Sequence, residues 1–310
     1  AMKILFTGAS SFTGFWFVKA LRQAGADVVC ALTGRVQRYQ GLRSERVKLL
    51  QDLCRFVPDA PFGSESFLEL ARNESWDLLC HHGAEVTDYR SPDFDPVKAL
   101  AANARNARMV LAALGTAGLK GLVLTGSVFE NDEGLGNEPL RAFSPYGLSK
   151  GLTYQLFRFY CDRAGVALGK FVIPNPFGPY EEARFTAYLM RQWQAGNEAS
   201  VKTPLYIRDN IPVDLLAAAY AQFCARVAAN REGLLKFNPS GYVENQGAFA
   251  LRVAREVAAR TGWSCNVRLE RQQDFAEPLM RLNGCPAASL VPEWSETAFW
   301  DSFVAFYKRG

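Results

Sequence analysis

Two residues four positions apart, Tyr146 and Lys150, have the clearest potential for chemistry in this sequence, within the segment SPYGLSK. Side chains four apart lie on the same face of a helix, so the phenol and the ammonium would point the same way. A free phenol, with a pKa of about 10, is a poor base at neutral pH. A nearby ammonium stabilises the phenolate and lowers that pKa, which makes tyrosine a usable general acid or base. The alternative is an exposed pair on a helix surface, since this spacing also arises by chance.

Two hydroxyl residues upstream, Thr125 and Ser127, follow the apolar run LKGLVL, which predicts a buried strand. The carboxyl ends of parallel strands are where such sheets bind their ligands. A hydroxyl there could hydrogen-bond the same substrate oxygen with which Tyr146 exchanges a proton. We therefore predict a catalytic group of Tyr146, Lys150 and Thr125, with Ser127 as the alternative hydroxyl.

A glycine-containing loop near the start of the sequence predicts a phosphate-binding site. It lies between a predicted strand, Lys3–Thr7, and a predicted helix that begins after Gly14 and ends at Gly25. Gly8 permits a tight turn and Gly14 a close approach of the helix to the sheet. Free N–H groups at the helix start would bind a pyrophosphate. A plain turn is the alternative; the expected contacts are Gly8, Ser10, Ser11, Phe12, Thr13 and Gly14.

The end of the second predicted strand, Asp27–Leu32, decides which dinucleotide is expected. An acidic residue there would bind the adenosine ribose of NAD, but the sequence continues with Arg35 and Arg38. Guanidinium groups suit a 2′-phosphate, so NADP is the preferred cofactor and NAD a possible one. The alternative is that both arginines are solvated loop charges. Asp52, followed by Leu53 after a third strand predicted around Val47–Leu50, is expected to meet the adenine.

The elements that must position these residues alternate between strand and helix. Further apolar runs predict strands at Trp76–Cys80, Leu119–Thr125 and Val166–Ile173, and alanine-rich and mixed segments predict helices over about 97–117 and 146–164. Strands that are apolar throughout are typical of a parallel sheet covered on both faces. We predict an α/β fold: a doubly wound parallel Rossmann sheet in residues 1–174, with a smaller C-terminal substrate-binding lobe in residues 175–310 that partly interleaves with it.

The bulk composition excludes several functional classes. A net charge of +4 without a basic run argues against nucleic acid as a partner. No apolar run approaches the ~18 residues of a membrane helix, and no signal peptide precedes the first strand, so a cytoplasmic protein is expected. The two histidines are adjacent and the seven cysteines scattered, which predicts no metal site.

Together these segments resemble the extended short-chain dehydrogenase/reductase family, in particular its nucleotide-sugar epimerases, dehydratases and reductases. TGASSFTG is similar to the family's TGxxGxxG loop, with Ser11 at the middle glycine, and LTGSVFE to the strand segment whose hydroxyl aligns with Thr125. His82-Gly83-Ala84 is similar to its HxA segment. The resemblance implies that Lys150 orients the nicotinamide ribose and that the cofactor contacts also include His82, Ala84, Asn103 and Pro174.

Two further segments point to a nucleotide sugar. NPFGP resembles the family's NxxGP segment, which implies that Asn175 contacts the sugar nucleotide, and RDNIPVD resembles its RDxIxVxD segment, which implies that Arg208 holds the diphosphate. Arg184 follows the first of these and is expected to cover the nucleotide base. The substrate would occupy the cleft beside the C-terminal lobe, and the family also implies a homodimer.

One departure narrows the expected reaction. In the family's 4,6-dehydratases an Asp-Glu pair follows the catalytic threonine, and here those positions are Gly126 and Ser127. A 4-epimerase or keto-sugar reductase is therefore expected rather than a dehydratase. Two alternatives stay open: a reductase of a non-nucleotide aldehyde or ketone on the same fold, and a non-catalytic dinucleotide-binding sensor.

Overall fold

The structure is a computed structural model that describes residues 1–230 and 233–309. Its strands, in chain order, are β1 Lys3–Thr7, β2 Asp27–Ala31, β3 Arg55–Val57, β4 Leu78–His81, β5 Gly121–Ser127, β6 Leu135–Gly136, β7 Ala167–Ile173, β8 Asn175–Phe177, β9 Ala199–Val201, β10 Ile207–Pro212, β11 Leu234–Phe237, β12 Pro239–Ser240, β13 Tyr242–Asn245, β14 Val267–Leu269, β15 Arg281–Leu282 and β16 Cys285–Pro286. Its helices are α1 Phe12–Gln23, α2 Gly41–Gln51, α3 Glu65–Asn73, α4 Pro96–Asn103, α5 Ala107–Thr116, α6 Pro145–Ala164, α7 Phe185–Gln194, α8 Val213–Ala229, α9 Gln246–Thr261 and α10 Glu296–Tyr307.

Seven parallel strands form the central sheet, in the order β11-β7-β5-β4-β1-β2-β3. The chain runs outward from β1 in one direction through β3 and then returns to β4 on the other side of β1. The order therefore reverses between β1 and β4, which is the position where doubly wound sheets bind their ligands. The predicted Rossmann-type α/β fold is confirmed.

The sheet is covered on both faces, as the uninterrupted apolar strands predicted. On one face, leucines of the strands such as Leu122 pack with residues of α3, α5 and α6, including Phe67 and Phe157. On the other face, Phe17 of α1 stacks on Tyr220 of α8 with ring centroids 4.0 Å apart. Burial on both faces fixes the register of each strand, and hence the position of the residue that follows it.

The predicted third strand is wrong. Val47–Leu50 lies within α2, and the third strand of the sheet is β3, which begins at Arg55. Val47 and Leu50 are buried three positions apart, the spacing of one helix face. A short apolar run cannot by itself distinguish a strand from a buried helical turn, which explains the error.

The single long helix predicted over residues 97–117 is two helices, α4 and α5. The break falls at Asn106, which adopts the left-handed conformation with φ 52° and donates its side-chain amide to the carbonyl of Gly63 at 2.8 Å. Asparagine tolerates this conformation because its short amide replaces backbone hydrogen bonds locally.

The chain divides into two compact units, each with its own core. The first holds residues 1–133, 140–173 and 217–238, and the second residues 134–139, 174–216 and 239–310. In the second unit, β10 pairs with β8 and β13, and Phe177 packs against Phe249 and Trp300 in an aromatic cluster. None of the helices in the described residues combines the length and apolar character that crossing a membrane requires.

Candidate active site

The loop after β1 has the close backbone approach that its two glycines predicted. Gly8 has φ +85°, and a Cβ on it would lie 2.6 Å from the backbone nitrogen of Gly83, in the loop after β4. A Cβ on Gly14 would lie 1.9 Å from the Gly8 carbonyl oxygen. Neither position could accept a side chain without a backbone shift, so both glycines are required by packing at the point where the strand order reverses.

The first turn of α1 presents free donors. Ser11 caps the helix: its hydroxyl donates to the Gly8 carbonyl at 2.9 Å and accepts from the Gly14 N–H at 3.0 Å. Within the described residues, the N–H groups of Phe12 and Thr13 have no partner. Two unpaired donors at a helix N-terminus fit a phosphate, so the loop suits the pyrophosphate of a dinucleotide. Ser11 itself is engaged within the loop.

The loop after β2 brings an acid to Arg35. The Nε of Arg35 donates to the Asp59 carboxylate at 3.2 Å, and both side chains are largely exposed. Asp59 comes two residues after β3 and was not singled out from sequence. Arg38 lies nearby, at the end of a 3-10 turn, Val36–Arg38.

The expectation for Asp52 is corrected, because it depended on the wrong third strand. Asp52 caps the C-terminus of α2, and it precedes β3 instead of following it. Leu53 lies beside it in the connection from α2 to β3 and is exposed. These two residues are therefore not at the carboxyl edge of the sheet. The acidic residue that follows the carboxyl end of β3 is Asp59.

Tyr146 lies in the first turn of α6, above the carboxyl end of β5. The start of α6 approaches closely because Gly147 has no side chain: a Cβ there would lie 2.2 Å from the Phe129 carbonyl oxygen. The half-buried ring of Tyr146 lies among the rings of Tyr89, Phe94 and Phe129, at centroid distances of 5.2, 6.0 and 6.4 Å. These neighbours fix the position of the phenol.

Lys150 follows one helical turn later, and its side chain is buried. Burial lowers the pKa of Lys150 to about 8, an effect that the Glu130 carboxylate opposes and the Lys170 ammonium increases. The ammonium is therefore still the main form at neutral pH, in a poorly solvated position where its charge acts strongly. Such an ammonium, on the same helix face as Tyr146, favours the phenolate.

A buried group of charges lies behind Lys150. The Lys170 ammonium, on β7, contacts carboxylate oxygens of Glu130 and Glu133 at 2.7 Å each, and it lies 3.7 Å from the centre of the Tyr154 ring. Glu133 also meets Lys236 of β11 at 2.6 Å. We call Glu130, Glu133, Lys170 and Lys236 the charge cluster. It is close to the site because the other Glu130 oxygen accepts from the Ser127 N–H, at the end of β5, at 2.6 Å.

Thr125 is connected to the phosphate loop through a histidine. The hydroxyl of Thr125 lies 2.7 Å from Nδ1 of His82, and Nε2 of the same ring lies 2.9 Å from the hydroxyl of Thr13 in α1. The neighbouring His81 bridges Thr7 and the carbonyl oxygen of Asn103, both at 2.7 Å. Burial lowers the pKa of His81 to about 4 and that of His82 to about 3. Both rings are therefore neutral at physiological pH.

These two buried rings predict a contribution to stability that is lost in mild acid, and the buried carboxyls of Glu181 and Asp209, whose pKa values burial raises to about 7 and about 6, oppose it. Each histidine in the unfolded chain takes up a proton as the pH falls below 6.5, whereas in the folded chain both stay neutral down to about pH 4. Stability is therefore present above pH 6.5 and is lost as the pH falls, at about 2.7 kcal/mol per pH unit from the two rings. Urea unfolding between pH 6 and pH 5 measures this slope. His82→Leu should change the slope by about 1.4 kcal/mol per pH unit, the share of one ring, and equal slopes in the two proteins would contradict the prediction.

The other predicted residues of the first unit are in supporting positions. The hydroxyl of Ser127 accepts from the Phe129 N–H at 3.1 Å, within the turn that follows β5. The buried amide of Asn103 accepts from the Glu85 N–H at 2.8 Å and donates to Thr153 at 3.3 Å. Asn103 thus connects α4, α6 and the segment after β4. Ala84 is half-buried in that segment.

The remaining predicted residues, Pro174, Asn175, Arg184 and Arg208, belong to the second unit. Pro174 is buried immediately before β8, and Arg184 is half-buried at the start of α7. The side-chain nitrogen of Asn175 is buried and has no hydrogen-bond partner in the structure. A buried amide donor without a partner is uncommon and fits a residue that binds a ligand.

Arg208 is engaged with the chain itself. Its guanidinium donates to the carbonyl oxygens of Ile207 and Pro278, at 2.7 Å each, and to Glu277 at 3.2 Å. It lies 3.4 Å from the centre of the Tyr206 ring. Its buried Nε has no hydrogen-bond partner among residues 1–230 and 233–309. Contact with a diphosphate, as predicted, would therefore use Nε or require the segment around residue 278 to move.

Sequence reasoning missed several buried charged residues beside the site. Fully buried Arg46 of α2 donates to the Ser10 carbonyl at 2.9 Å and thereby supports the phosphate loop. Glu130 and Lys170 were also missed. The only signal was a lysine inside an otherwise apolar strand, ALGKFVI, because a charge in a strand buried on both faces requires a partner.

Comparison with known proteins agrees with this fold. The model of the NAD dependent epimerase/dehydratase family matches residues 4–235. No curated protein sequence matches the chain. Similar solved structures include a UDP-glucose-4-epimerase from Stenotrophomonas maltophila with bound NAD and formylated UDP-arabinopyranose (TM-score 0.76, 18% identity, 99% of this chain and 98% of the other covered). They also include a UDP-glucuronic acid 4-epimerase from Bacillus cereus in complex with UDP-glucuronic acid and NAD (0.71, 17%, 99% of each chain).

A third similar structure is a UDP-glucose 4-epimerase from Bifidobacterium longum in complex with NAD+ and UDP (TM-score 0.73, 16% identity, 100% of this chain and 99% of the other). At these identities the structural likeness establishes the fold, and the family model establishes the membership. The predicted resemblance to the extended short-chain dehydrogenase/reductase family is thus confirmed, and the chain belongs to the NAD-dependent epimerase/dehydratase family.

Proposed function

We propose that this protein is an NAD(P)-dependent oxidoreductase that modifies a nucleotide sugar, as a 4-epimerase or a keto-sugar reductase. The observation that carries the proposal is the position of Lys150: a buried ammonium, one helical turn from Tyr146, in the same unit as a loop with free N–H donors. Family membership and the UDP sugars bound by similar structures support the substrate class.

Each residue has a separate role in the proposed reaction. The loop of Gly8 and Gly14, with the free N–H groups of Phe12 and Thr13, would hold the dinucleotide, which supplies hydride transfer when bound. Tyr146 exchanges a proton with the sugar hydroxyl or ketone. Lys150 stabilises the phenolate and orients the nicotinamide ribose, and Thr125 hydrogen-bonds the reacting oxygen.

The second unit supplies the residues proposed to bind the nucleotide diphosphate. The buried side-chain amide of Asn175 has no partner among the described residues, so it could donate a hydrogen bond to such a ligand. Arg184, at the start of α7, is proposed to cover the base. Arg208 is proposed to contact the diphosphate through its free Nε, with the remainder of its guanidinium held by backbone carbonyls.

Incubation with UDP-glucose, UDP-galactose, UDP-glucuronic acid and a UDP-4-keto sugar, in the presence of NAD or NADPH, tests the proposal. A 4-epimerase yields the isomerised sugar nucleotide with no net change in absorbance at the reduced-nicotinamide band. A keto-sugar reductase oxidises NADPH or NADH when the corresponding keto sugar is present. If the protein binds the dinucleotide but forms neither product from this panel, the proposed activity is contradicted and a sensor role is favoured.

The preference for NADP stays a prediction, carried by Arg35 and Arg38. A guanidinium of this loop would meet the 2′-phosphate, and we expect NADPH to bind more tightly than NADH in a fluorescence titration. Asp59 opposes this preference, because its carboxylate already pairs with Arg35 and would repel a phosphate. Tighter binding of NADH would show that the acid determines the choice.

A reductase of a non-nucleotide aldehyde or ketone is the second candidate, and one observation favours it. The guanidinium of Arg208 already donates to three backbone carbonyls and to Glu277, so it is not free in the way a diphosphate-binding arginine would be. This candidate predicts NADPH oxidation with simple carbonyl compounds and none with keto sugar nucleotides.

We also propose that the protein forms a homodimer through α6. Leu148, Leu152 and Phe159 are exposed large apolar residues on α6, at spacings of four and seven that place them on one face. Such a stripe on a soluble helix fits a partner surface. Sedimentation of a monomer at micromolar concentration would contradict a dimer.

A further inference from the structure

We propose that His82 is a positioning residue that orients the hydroxyl of Thr125 through a hydrogen-bonded chain, Thr13–His82–Thr125, which starts in the first turn of the cofactor-binding helix. This inference rests on the proposed function, because Thr125 is assigned there to the reacting oxygen. It gives His82, for which the sequence predicted only a cofactor contact, a second role in the proposed reaction.

The hydrogen-bonded chain Thr13–His82–Thr125 has short distances at both ends. The two ring nitrogens of His82 lie 2.7 Å from the Thr125 hydroxyl and 2.9 Å from the Thr13 hydroxyl, so both nitrogens are engaged. Within the described residues, neither hydroxyl has another hydrogen-bond partner. In the part of the chain that the structure describes, the imidazole is therefore the hydrogen-bond partner that sets the direction of the Thr125 hydroxyl.

The walls around the ring keep it in this position. His82 is buried, and its ring packs edge-on against Phe17 at 5.0 Å and tilted against Phe6 at 5.8 Å. Apolar walls offer no other hydrogen-bond partner, so a rotation of the ring would leave two buried nitrogens unsatisfied.

A neutral imidazole has one donor and one acceptor nitrogen, and this has a chemical consequence for Thr125. When Nδ1 accepts the Thr125 proton, the threonine can only accept a hydrogen bond from a substrate hydroxyl. When Nδ1 carries the proton, the Thr125 O–H is free to donate to a ketone oxygen, and Nε2 accepts from Thr13. The two tautomers thus suit the alcohol and ketone forms that the proposed reaction interconverts.

The charges near His82 are consistent with a neutral ring. Lys150 is the charged group that acts on it, and His81 is the adjacent titratable group. A positive Lys150 disfavours a second positive charge on the ring, in addition to the effect of burial. The ring therefore stays a neutral imidazole, with one N–H donor and one acceptor nitrogen facing the hydroxyls of Thr125 and Thr13.

Nuclear magnetic resonance of the ring nitrogens tests the chain without any activity. The protein has only two histidines, so 15N-labelled histidine gives four ring-nitrogen signals, and His82→Leu identifies the pair from His82. We expect Thr125→Val to shift the Nδ1 signal of His82 while the His81 signals stay in place. Unchanged His82 signals in that variant would overturn the inference.

Kinetics of matched variants test the positioning. Asparagine places an amide atom near the position of Nδ1 and glutamine one near Nε2. His82→Asn should therefore retain the parent kcat within about threefold, whereas His82→Gln and His82→Leu should lower kcat by about tenfold to hundredfold. The dissociation constant for NADH, measured for all three, separates a loss of turnover from a loss of cofactor binding. Equal losses in the asparagine and glutamine variants would indicate a structural role only and overturn the inference.

Combination with Thr125→Val makes the test specific. If His82 acts through Thr125, then His82→Leu should cause no further loss of kcat in a Thr125→Val background. A second loss of the same size would overturn the inference. If the parent protein turns over no nucleotide sugar while Thr125→Val still shifts the His82 signal, the proposed function fails and the hydrogen-bonded chain stands.

Discussion

Tyr146→Phe is expected to lower turnover of the nucleotide sugar by about 10²- to 10⁴-fold, the range typical for removal of a general acid or base. The phenylalanine ring should occupy the same place among Tyr89, Phe94 and Phe129, because only the hydroxyl is removed. The loss should therefore appear in kcat, with the affinity for NADH and the thermal stability unchanged. Steady-state kinetics together with an NADH titration measure both effects.

Tyr160→Phe provides a matched control on the same helix. Tyr160 is half-buried on α6, packs against the core of the first unit, and lies almost four helical turns after Tyr146. Its loss of a hydroxyl should leave turnover within about twofold, as expected for a substitution away from the site. Full turnover in Tyr146→Phe would exclude the phenol from the proton exchange, and with it the proposed mechanism.

The parts of the fold that the sequence predicted are those set by local pattern. β1, β2 and β5 are short apolar runs with polar or glycine residues near their ends, and this local pattern predicted them as strands. The errors arose where a distant residue decides the conformation. Asn106 interrupts the predicted long helix because its amide finds the Gly63 carbonyl, which is 43 residues away in sequence.

In the predicted site too, contacts within one helix could be predicted from sequence and contacts between separate elements could not. Tyr146 and Lys150 could be paired from their spacing because a helix fixes that geometry, whereas the partner of Thr125 could not. Thr13, His82 and Thr125 come from three separate elements and meet only when β1, β4 and β5 are adjacent in the sheet. The sequence showed each residue but not the pairing between strands that brings them together.

The contacts of the charge cluster also join separate elements, so the sequence did not predict them. Loss of these contacts is expected to cause a large decrease in stability. Lys170→Met should reduce the free energy of unfolding by about 3–5 kcal/mol, because it removes a buried ammonium that contacts two carboxylates at 2.7 Å each. The side chains of Lys170 and Glu130 are each only 1% exposed, so water cannot replace the lost contact. Glu133 retains Lys236, but Glu130 loses the ammonium that neutralises it. Denaturant unfolding measures the loss.

Lys120→Met is the matched control, since Lys120 forms a surface ion pair with Asp77 at 2.8 Å and its side chain is 56% exposed. Removal of that pair should cost less than about 1 kcal/mol. Addition of Glu130→Gln to Lys170→Met should restore part of the stability, because a buried negative charge that has lost its contact with Lys170 is then removed. A cost for Lys170→Met no larger than that of the control would show that the buried carboxylates are solvated or protonated, and that the electrostatic environment assigned to Lys150 is incorrect.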